Sequence, residues 1–424
     1  MATNISKKNI FCSAFATSVE YYDFIIYAYL TFAISAAFFP QGHHMVSLLE
    51  TYGLFAIGYF MRPLGGIVFG HLGDRMGRRR VLIATVILMM LSLLAVVIVP
   101  TYAHWGIGAT IVLLVSRMVQ GFSIGGEYNG VLATLIENAP SHRRGLVTSL
   151  GTFISGNGVL LATIVVLLCH MHYSHQQMLD YAWRVPYGIG VGLSLVATVL
   201  IFMIDETSYF KRAQKSRKIV KLPLWEALKK HPSAVFLVFI LAGYLGIAYY
   251  MAAGYIPDML KDPDVFGFSE IAAMQATVIA AFFYAYSAPI WGWLSDQIGR
   301  KVVLICSIIG IGVFVYPAFV VLSTKAFIPT VLVYCVLMVL ISACTATFVV
   351  AINEAFPTHL RYSGVGFGYN VGNALLGGSV LMASQLLFNM FGITGPAIYL
   401  IICSVIALLV VARMKETYKQ PLVD

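Results

Sequence analysis

Charge is scarce in this chain. Only 11 % of its 424 residues are Asp, Glu, Lys or Arg, less than half of the ~25 % typical of a soluble domain. So few polar groups cannot cover a globule of this size, and a soluble fold is excluded. The six cysteines (Cys12, Cys169, Cys306, Cys335, Cys344, Cys403) stand singly, mostly inside apolar runs. They form neither a disulfide framework nor a thiolate metal site. His170, His172 and His175 have near-ligand spacing, yet no thiolate or carboxylate set in sequence completes a site. A nucleophile–base constellation is also missing, so neither an enzyme nor a cofactor is expected. Met1–Asn9 is polar and the apolar run after it is too long for the core of a cleavable signal peptide.

Apolar residues are abundant, at 59 %, with a mean hydropathy of +0.85. Stretches of about 20 apolar residues, the length that crosses a bilayer, occur twelve times. They are Ile10–Ala36, Tyr52–Gly70, Val81–Val99, Ile107–Ile136, Leu146–Cys169, Val185–Ile204, Ala234–Tyr255, Ile271–Leu294, Val302–Leu322, Phe327–Ile352, Gly364–Phe388 and Gly395–Ala412. All are expected to be helical, because lipid-exposed backbone must satisfy its own hydrogen bonds.

The basic residues are unevenly placed. The N-terminus and every second loop hold Lys7, Lys8, Arg75, Arg78, Arg143, Arg144, the lysines and arginines from Lys211 to Lys230, Arg300, Lys301, Arg361 and Arg413. The alternate loops offer only Arg184, Lys261 and Lys325. By the positive-inside rule the first set is cytoplasmic, and so are both termini. The net charge of +9 is thereby explained by topology and anionic lipid, without nucleic acid.

The chain also repeats itself. Glu137-Asn-Ala-Pro-Ser-His-Arg-Arg144 returns as Glu354-Ala-Phe-Pro-Thr-His-Leu-Arg361, 217 positions on. Gly70-His-Leu-Gly-Asp74-Arg-Met-Gly-Arg78-Arg79 returns as Gly292-Trp-Leu-Ser-Asp296-Gln-Ile-Gly-Arg300-Lys301, at an offset of 222. Two motifs sharing nearly one offset imply that half the chain is duplicated, as in a transporter of two equivalent bundles with a site between them. The expected division is an N-terminal six-helix bundle at 1–204, a cytoplasmic linker at 205–231 and a C-terminal bundle at 232–424. Lys211–Lys230 suits either an amphipathic surface helix or a solvated linker. The repeated charges (Asp74, Arg78, Glu137 and Arg144; Asp296, Arg300, Glu354 and Arg361) suit gating pairs at the cytoplasmic surface.

Five charges remain inside spans: Glu20, Asp23, Arg62, Arg117 and Glu127. Buried charge is costly in a bilayer and usually marks an ion or substrate path. At ~1.5 Å per residue, Glu20, Arg62 and Glu127 fall near the midplane of a ~30 Å core. Asp23 shares a helix face with Glu20. A carboxylate in a low-dielectric cavity is poised to exchange a proton, so Glu20, Asp23 and Glu127 are candidates for proton coupling. Arginine keeps its proton and can grip a substrate carboxylate bidentately. Arg62 is the leading substrate contact, followed by Arg117 and Gln120; whether Arg117 reaches the cavity depends on the bend of its helix. The second half offers Tyr249, Tyr250, Tyr284, Tyr286, Tyr369, Asn370 and Asn373, suited to a pocket of aromatic faces and hydrogen bonds.

Gly70–Arg80 and Gly292–Lys301 resemble the loop signature of the major facilitator superfamily. Val19-Glu20-Tyr-Tyr-Asp23-Phe24, Arg62-Pro-Leu-Gly65-Gly66, Gln120-Gly121-Phe-Ser-Ile-Gly125-Gly126-Glu127-Tyr128 and Arg361-Tyr-Ser-Gly364 with Tyr369-Asn370 resemble its metabolite:proton symporters. That group carries proline and betaine, 2-oxoglutarate, citrate and shikimate. Tyr21 stands where it usually has tryptophan. The resemblance implies an all-α membrane protein of twelve helices in two six-helix bundles related by pseudo-two-fold symmetry. It further implies alternating access, with proton-coupled uptake of a small organic acid, amino acid or betaine by a monomer in the bacterial inner membrane. Asp74 and its arginines would latch the cytoplasmic side. Gly151–Leu161 lacks the Gly-Pro signature of the superfamily's antiporters, which favours symport over export, and no soluble signalling domain supports a sensor.

Overall fold

The computed structural model describes residues 7–39, 44–76, 78–125, 132, 135–136, 139–202, 223–263 and 265–420, with no strand among them. The first half contains α1 (Lys7–Tyr29), α2 (Thr31–Phe38), α3 (His44–Met76), α4 (Arg78–Ile98), α5 (Ile107–Ile124), α6 (Arg144–His172) and α7 (Arg184–Phe202). After α8 (Pro223–Lys230) come α9 (Pro232–Tyr250), α10 (Ile256–Lys261), α11 (Glu270–Ile298), α12 (Arg300–Leu322), α13 (Phe327–Glu354), α14 (Thr358–Gly372), α15 (Val380–Phe391) and α16 (Thr394–Arg413). Eleven spans among the described residues are long and apolar enough to cross a membrane, and α1 with α2 makes a twelfth, bent by 68°. The all-α membrane fold expected from hydropathy is the fold observed.

The bend in the first span has a local cause. Leu30 leaves helical geometry (φ −106°, ψ 17°), and Thr31 Oγ1 donates back to the Ala28 carbonyl at 2.7 Å. Such a back-bond loosens the helical ladder. Of the linker, α8 is helical and carries a Glu226–Lys230 pair at 2.7 Å; residues 203–222 lie outside the described part.

Helix contacts are set where side chains are smallest. A Cβ on Gly121 of α5 would stand 1.7 Å from the Gly58 carbonyl of α3, and one on Gly125 would stand 2.0 Å from the Arg62 carbonyl. The two backbones therefore touch, as small residues allow in lipid, and Arg62 is held rigidly against α5. Between the halves, α6 and α11 run together along their length. A Cβ on Gly145 would meet the Gly292 carbonyl at 2.3 Å, and further along one on Gly156 would meet the Ala285 Cβ at 2.8 Å.

Two π-helical turns, Met251–Tyr255 and Asn373–Gly377, interrupt spans of the second half. The second packs against α9 just ahead of the first: a Cβ on Gly246, five residues before Met251, would lie 2.8 Å from Asn373 Oδ1. Wide turns of this kind re-aim neighbouring side chains and often sit at functional sites.

Candidate functional site

A cavity of about 40 Å³ lies between the halves, walled by Tyr21 and Ser155 of the first and by Tyr249, Tyr250, Tyr284 and Tyr369 of the second, with Thr345, Phe348 and Asn373. The Tyr249 ring is 5.0 Å from that of Tyr250 and 5.1 Å from that of Tyr284. This volume holds a few waters but no metabolite. Described residues of the two halves meet at both ends.

Arg62 is fully buried beside this cavity. Its guanidinium carbon lies 5.1 Å from the Tyr59 ring and 5.9 Å from that of Phe24, with Tyr250, Tyr369 and Tyr21 as further neighbours. Its Nε has no hydrogen-bond partner. Tyr369 lies within hydrogen-bonding reach of both Arg62 and Tyr21.

The carboxylates lie elsewhere. Glu20 and Asp23 line a second cavity, of about 10 Å³, with Thr85 and Met89 of α4 and Ser194 of α7. Ser194 donates to Asp23 Oδ2 at 2.7 Å, while Oδ1 has no partner and packs where a Cβ on Gly190 would stand only 2.5 Å away. Tyr21 faces the central cavity and Asp23, two residues on and so ~200° around the helix, faces the other way. The first helix thus presents its aromatic side to one chamber and its acids to the other.

Arg117 is 1 % exposed and stays inside the first half. Its guanidinium carbon stands 4.1 Å from the Tyr27 ring and 4.9 Å from that of Phe24. Nη1 donates to Gln120 Oε1, and Nε and Nη2 have no partner. Neither Arg117 nor Gln120 lines the central cavity. Of the second-half candidates, Tyr249, Tyr369 and Asn373 line it, whereas Asn370 donates to the Gly125 carbonyl at 3.0 Å and ties the halves together. Tyr286 is 45 % exposed and stacks on Phe282.

At the basic end, half of the repeated charges form one network. Asp296 accepts from the backbone N–H groups of Gly145 and Leu146 at 2.8 and 2.9 Å, at the N-terminus of α6, where the helix dipole favours an anion. Arg300 pairs with Asp296 at 2.8 Å and with Glu354 at 3.3 Å, and Arg144 approaches Glu354 at 3.6 Å. Glu127 and Glu137, with the side chains of Asp74, Arg78 and Arg361, lie outside the described residues.

The opposite end holds two clusters that the sequence did not bring together. Asp258 and Lys261, at the end of a span, form an ion pair at 3.0 Å with both side chains nearly inaccessible. Tyr52 donates to Asp258 at 3.1 Å and Lys261 to the Tyr29 carbonyl at 3.2 Å, both across the halves. Glu270 meets His170 and His175, yet no group of three His, Cys, Asp or Glu among the described residues is placed to hold a metal ion.

Residues 9–221 match the family model described as "Sugar (and other) transporter", and residues 246–422 match that of the Major Facilitator Superfamily. The chain is 30 % identical over 417 residues to a putative proline/betaine transporter of Staphylococcus aureus, covering 96 % of this chain and 87 % of that one. It is 29 % identical over 425 residues to a proline/betaine transporter of Salmonella typhimurium, covering 98 % and 85 %. In fold it resembles the proton:xylose symporter XylE bound to 6-bromo-6-deoxy-D-glucose, with a TM-score of 0.78 at 16 % identity over 100 % of this chain and 98 % of that one. A family model spanning half the sequence, and a relative at 30 % identity across nearly all of it, show that this chain belongs to the major facilitator superfamily and is a transporter rather than an enzyme.

Proposed function

We propose that the chain takes up a small zwitterionic or carboxylate-bearing metabolite together with protons, by alternating access. The observation that carries this reading is the chamber of tyrosines at the interface of the halves, with the fixed cation Arg62 beside it and Glu20 and Asp23 buried one helix face behind. Aromatic faces attract an organic ammonium group, and a guanidinium suits a carboxylate. Together they match an amino acid or betaine, and the names of the relatives, proline/betaine transporters, point the same way. Glu127 is a third candidate for coupling. One chain supplies every wall of the chamber, so a monomer suffices. On this reading the halves are residues 1–204 and 232–424, and the basic end and both termini face the cytoplasm of a bacterium.

Uptake of labelled proline or glycine betaine into proteoliposomes under an imposed pH gradient tests the reading. Accumulation inside when the outside is acid supports it. Efflux driven by the same gradient would identify an exporter, and binding without flux a sensor.

The charges at the basic end act as the inner latch. Asp296 holds the start of α6 from the other half, so Asp296→Asn weakens two charge-assisted contacts at once. Each such contact contributes roughly 1 kcal/mol, enough for the two to bias a two-state equilibrium about tenfold or more. The expected result is a larger inward-facing population and slower turnover with unchanged substrate affinity, read by cysteine accessibility from the two sides. A lost affinity at unchanged rate would count against a latch.

A further inference from the structure

The histidines at the end opposite the basic network converge on one carboxylate of the other half. His170 lies in the last turn of α6 and His175 follows it in the short helix His175–Gln177, whose start is fixed by a capping box between Ser174 and Gln177. Glu270 opens α11. His170 Nδ1 stands 3.0 Å from Glu270 Oε2, and His175 Nδ1 stands 3.0 Å from Oε1. The His175 contact has hydrogen-bond geometry; the His170 contact lacks it, and neither ring nitrogen of His170 has a hydrogen-bond partner. The His170 side chain is 6 % exposed, that of Glu270 30 % and that of His175 66 %.

We propose that His170, His175 and Glu270 form a proton-binding site that latches this end of the transporter when the medium outside is acid. The proposal rests on the reading that this end faces outward.

An imidazole ordinarily changes charge between about pH 5 and 8. Neutral, the pair gives Glu270 at most one aligned hydrogen bond. Protonated, both rings become cations against one carboxylate, which accepts at both oxygens. Those attractions exist only while the halves touch here. Protonated rings held against one carboxylate therefore favour closure.

Among the described residues at this end, Arg184 donates to the carbonyls of Val97 and Val99, and a Cβ on Gly267, three residues before Glu270, would lie 3.9 Å from the Lys325 ammonium. His172 lies edge-on to Tyr173, Gln176 donates to Asp180, and Lys261 pairs with Asp258. Glu270 has His170 and His175 as its charged neighbours. Outward opening is thereby slowed in acid, not abolished, by protons distinct from those that drive transport.

A reporter at the outer seam tests the latch without gradient or substrate. Ala28 is buried at the end of α1, where a Cβ on Gly254 of the other half would lie 3.8 Å from its own Cβ. Labelling of Ala28→Cys by a methanethiosulfonate reagent, above the background of the native cysteines, is measured on the purified full chain in detergent. Between about pH 7.5 and 5.5, a range that spans imidazole titration, labelling should slow roughly two- to five-fold more than in the same reporter carrying Glu270→Gln, a size set by half-exposed charge pairs. His175→Gln, at an exposed position, should remove part of the pH response and guards against misfolding of the Glu270 variant. Equal pH responses in the reporter and both variants, or a faster rate in acid, overturn the latch. Proton-driven uptake, measured separately, stands or falls on its own.

Discussion

Asp23→Asn abolishes uphill accumulation and leaves exchange intact. Asp23 is wholly inaccessible, and its hydrogen-bond donor is the Ser194 hydroxyl. Asparagine keeps the shape that fits against Gly190 and can still accept from Ser194, so it mimics the protonated acid. It cannot release a proton, and alternation then proceeds without coupling. An imposed gradient of one pH unit is worth about 1.4 kcal/mol per proton, or about tenfold accumulation. The parent should approach that ratio in proteoliposomes with labelled betaine or proline. The variant should come to equal concentrations on both sides while still exchanging external for internal substrate. A tenfold gradient sustained by Asp23→Asn would remove this residue from the coupling step.

Arg62→Lys should lower apparent affinity about 10- to 100-fold, the scale of one or two hydrogen bonds to a charged group. Lysine keeps the positive charge but not the planar fork that meets both oxygens of a carboxylate. Its ammonium is also more strongly hydrated, a poor match to a site framed by Tyr59, Tyr250 and Phe24. Substrate-dependent thermal stabilisation and the concentration for half-maximal uptake should weaken together. Normal affinity with an altered pH profile would instead make Arg62 a partner of the carboxylates and not of the substrate.

Hydropathy and the internal repeat made the helices legible, because each span must be apolar along its length whatever it packs against. The repeat also singled out Asp296, Arg300, Glu354 and Arg144, which the structure joins in one network. Azimuth was harder to read. The sequence places Glu20 and Asp23 on one face of α1, but which chamber that face meets depends on how α4 and α7 pack, and no local signal encodes that. Arg117 is enclosed by Tyr27 and Phe24 for the same reason. Asp258 and Lys261 read as loop charges, because a hydropathy count penalises both ions and ignores that at i,i+3 they neutralise one another. The π-helical turns at Met251–Tyr255 and Asn373–Gly377 change hydrogen-bond register without a glycine or proline requirement that would announce them. His170 and Glu270 are 100 residues apart, and only the packing of α6 on α11 brings them together.

That packing has a mechanical consequence. At mid-height α6 and α11 approach most closely where Gly156 meets Ala285, and two bundles touching along such a line can tilt about that point as a lever tilts on its fulcrum. Parting at one extremity presses the other shut. On the proposed alternating access, the solutions on the two sides are then never joined by a continuous water column, and the ion gradients of the cell do not leak away through the carrier.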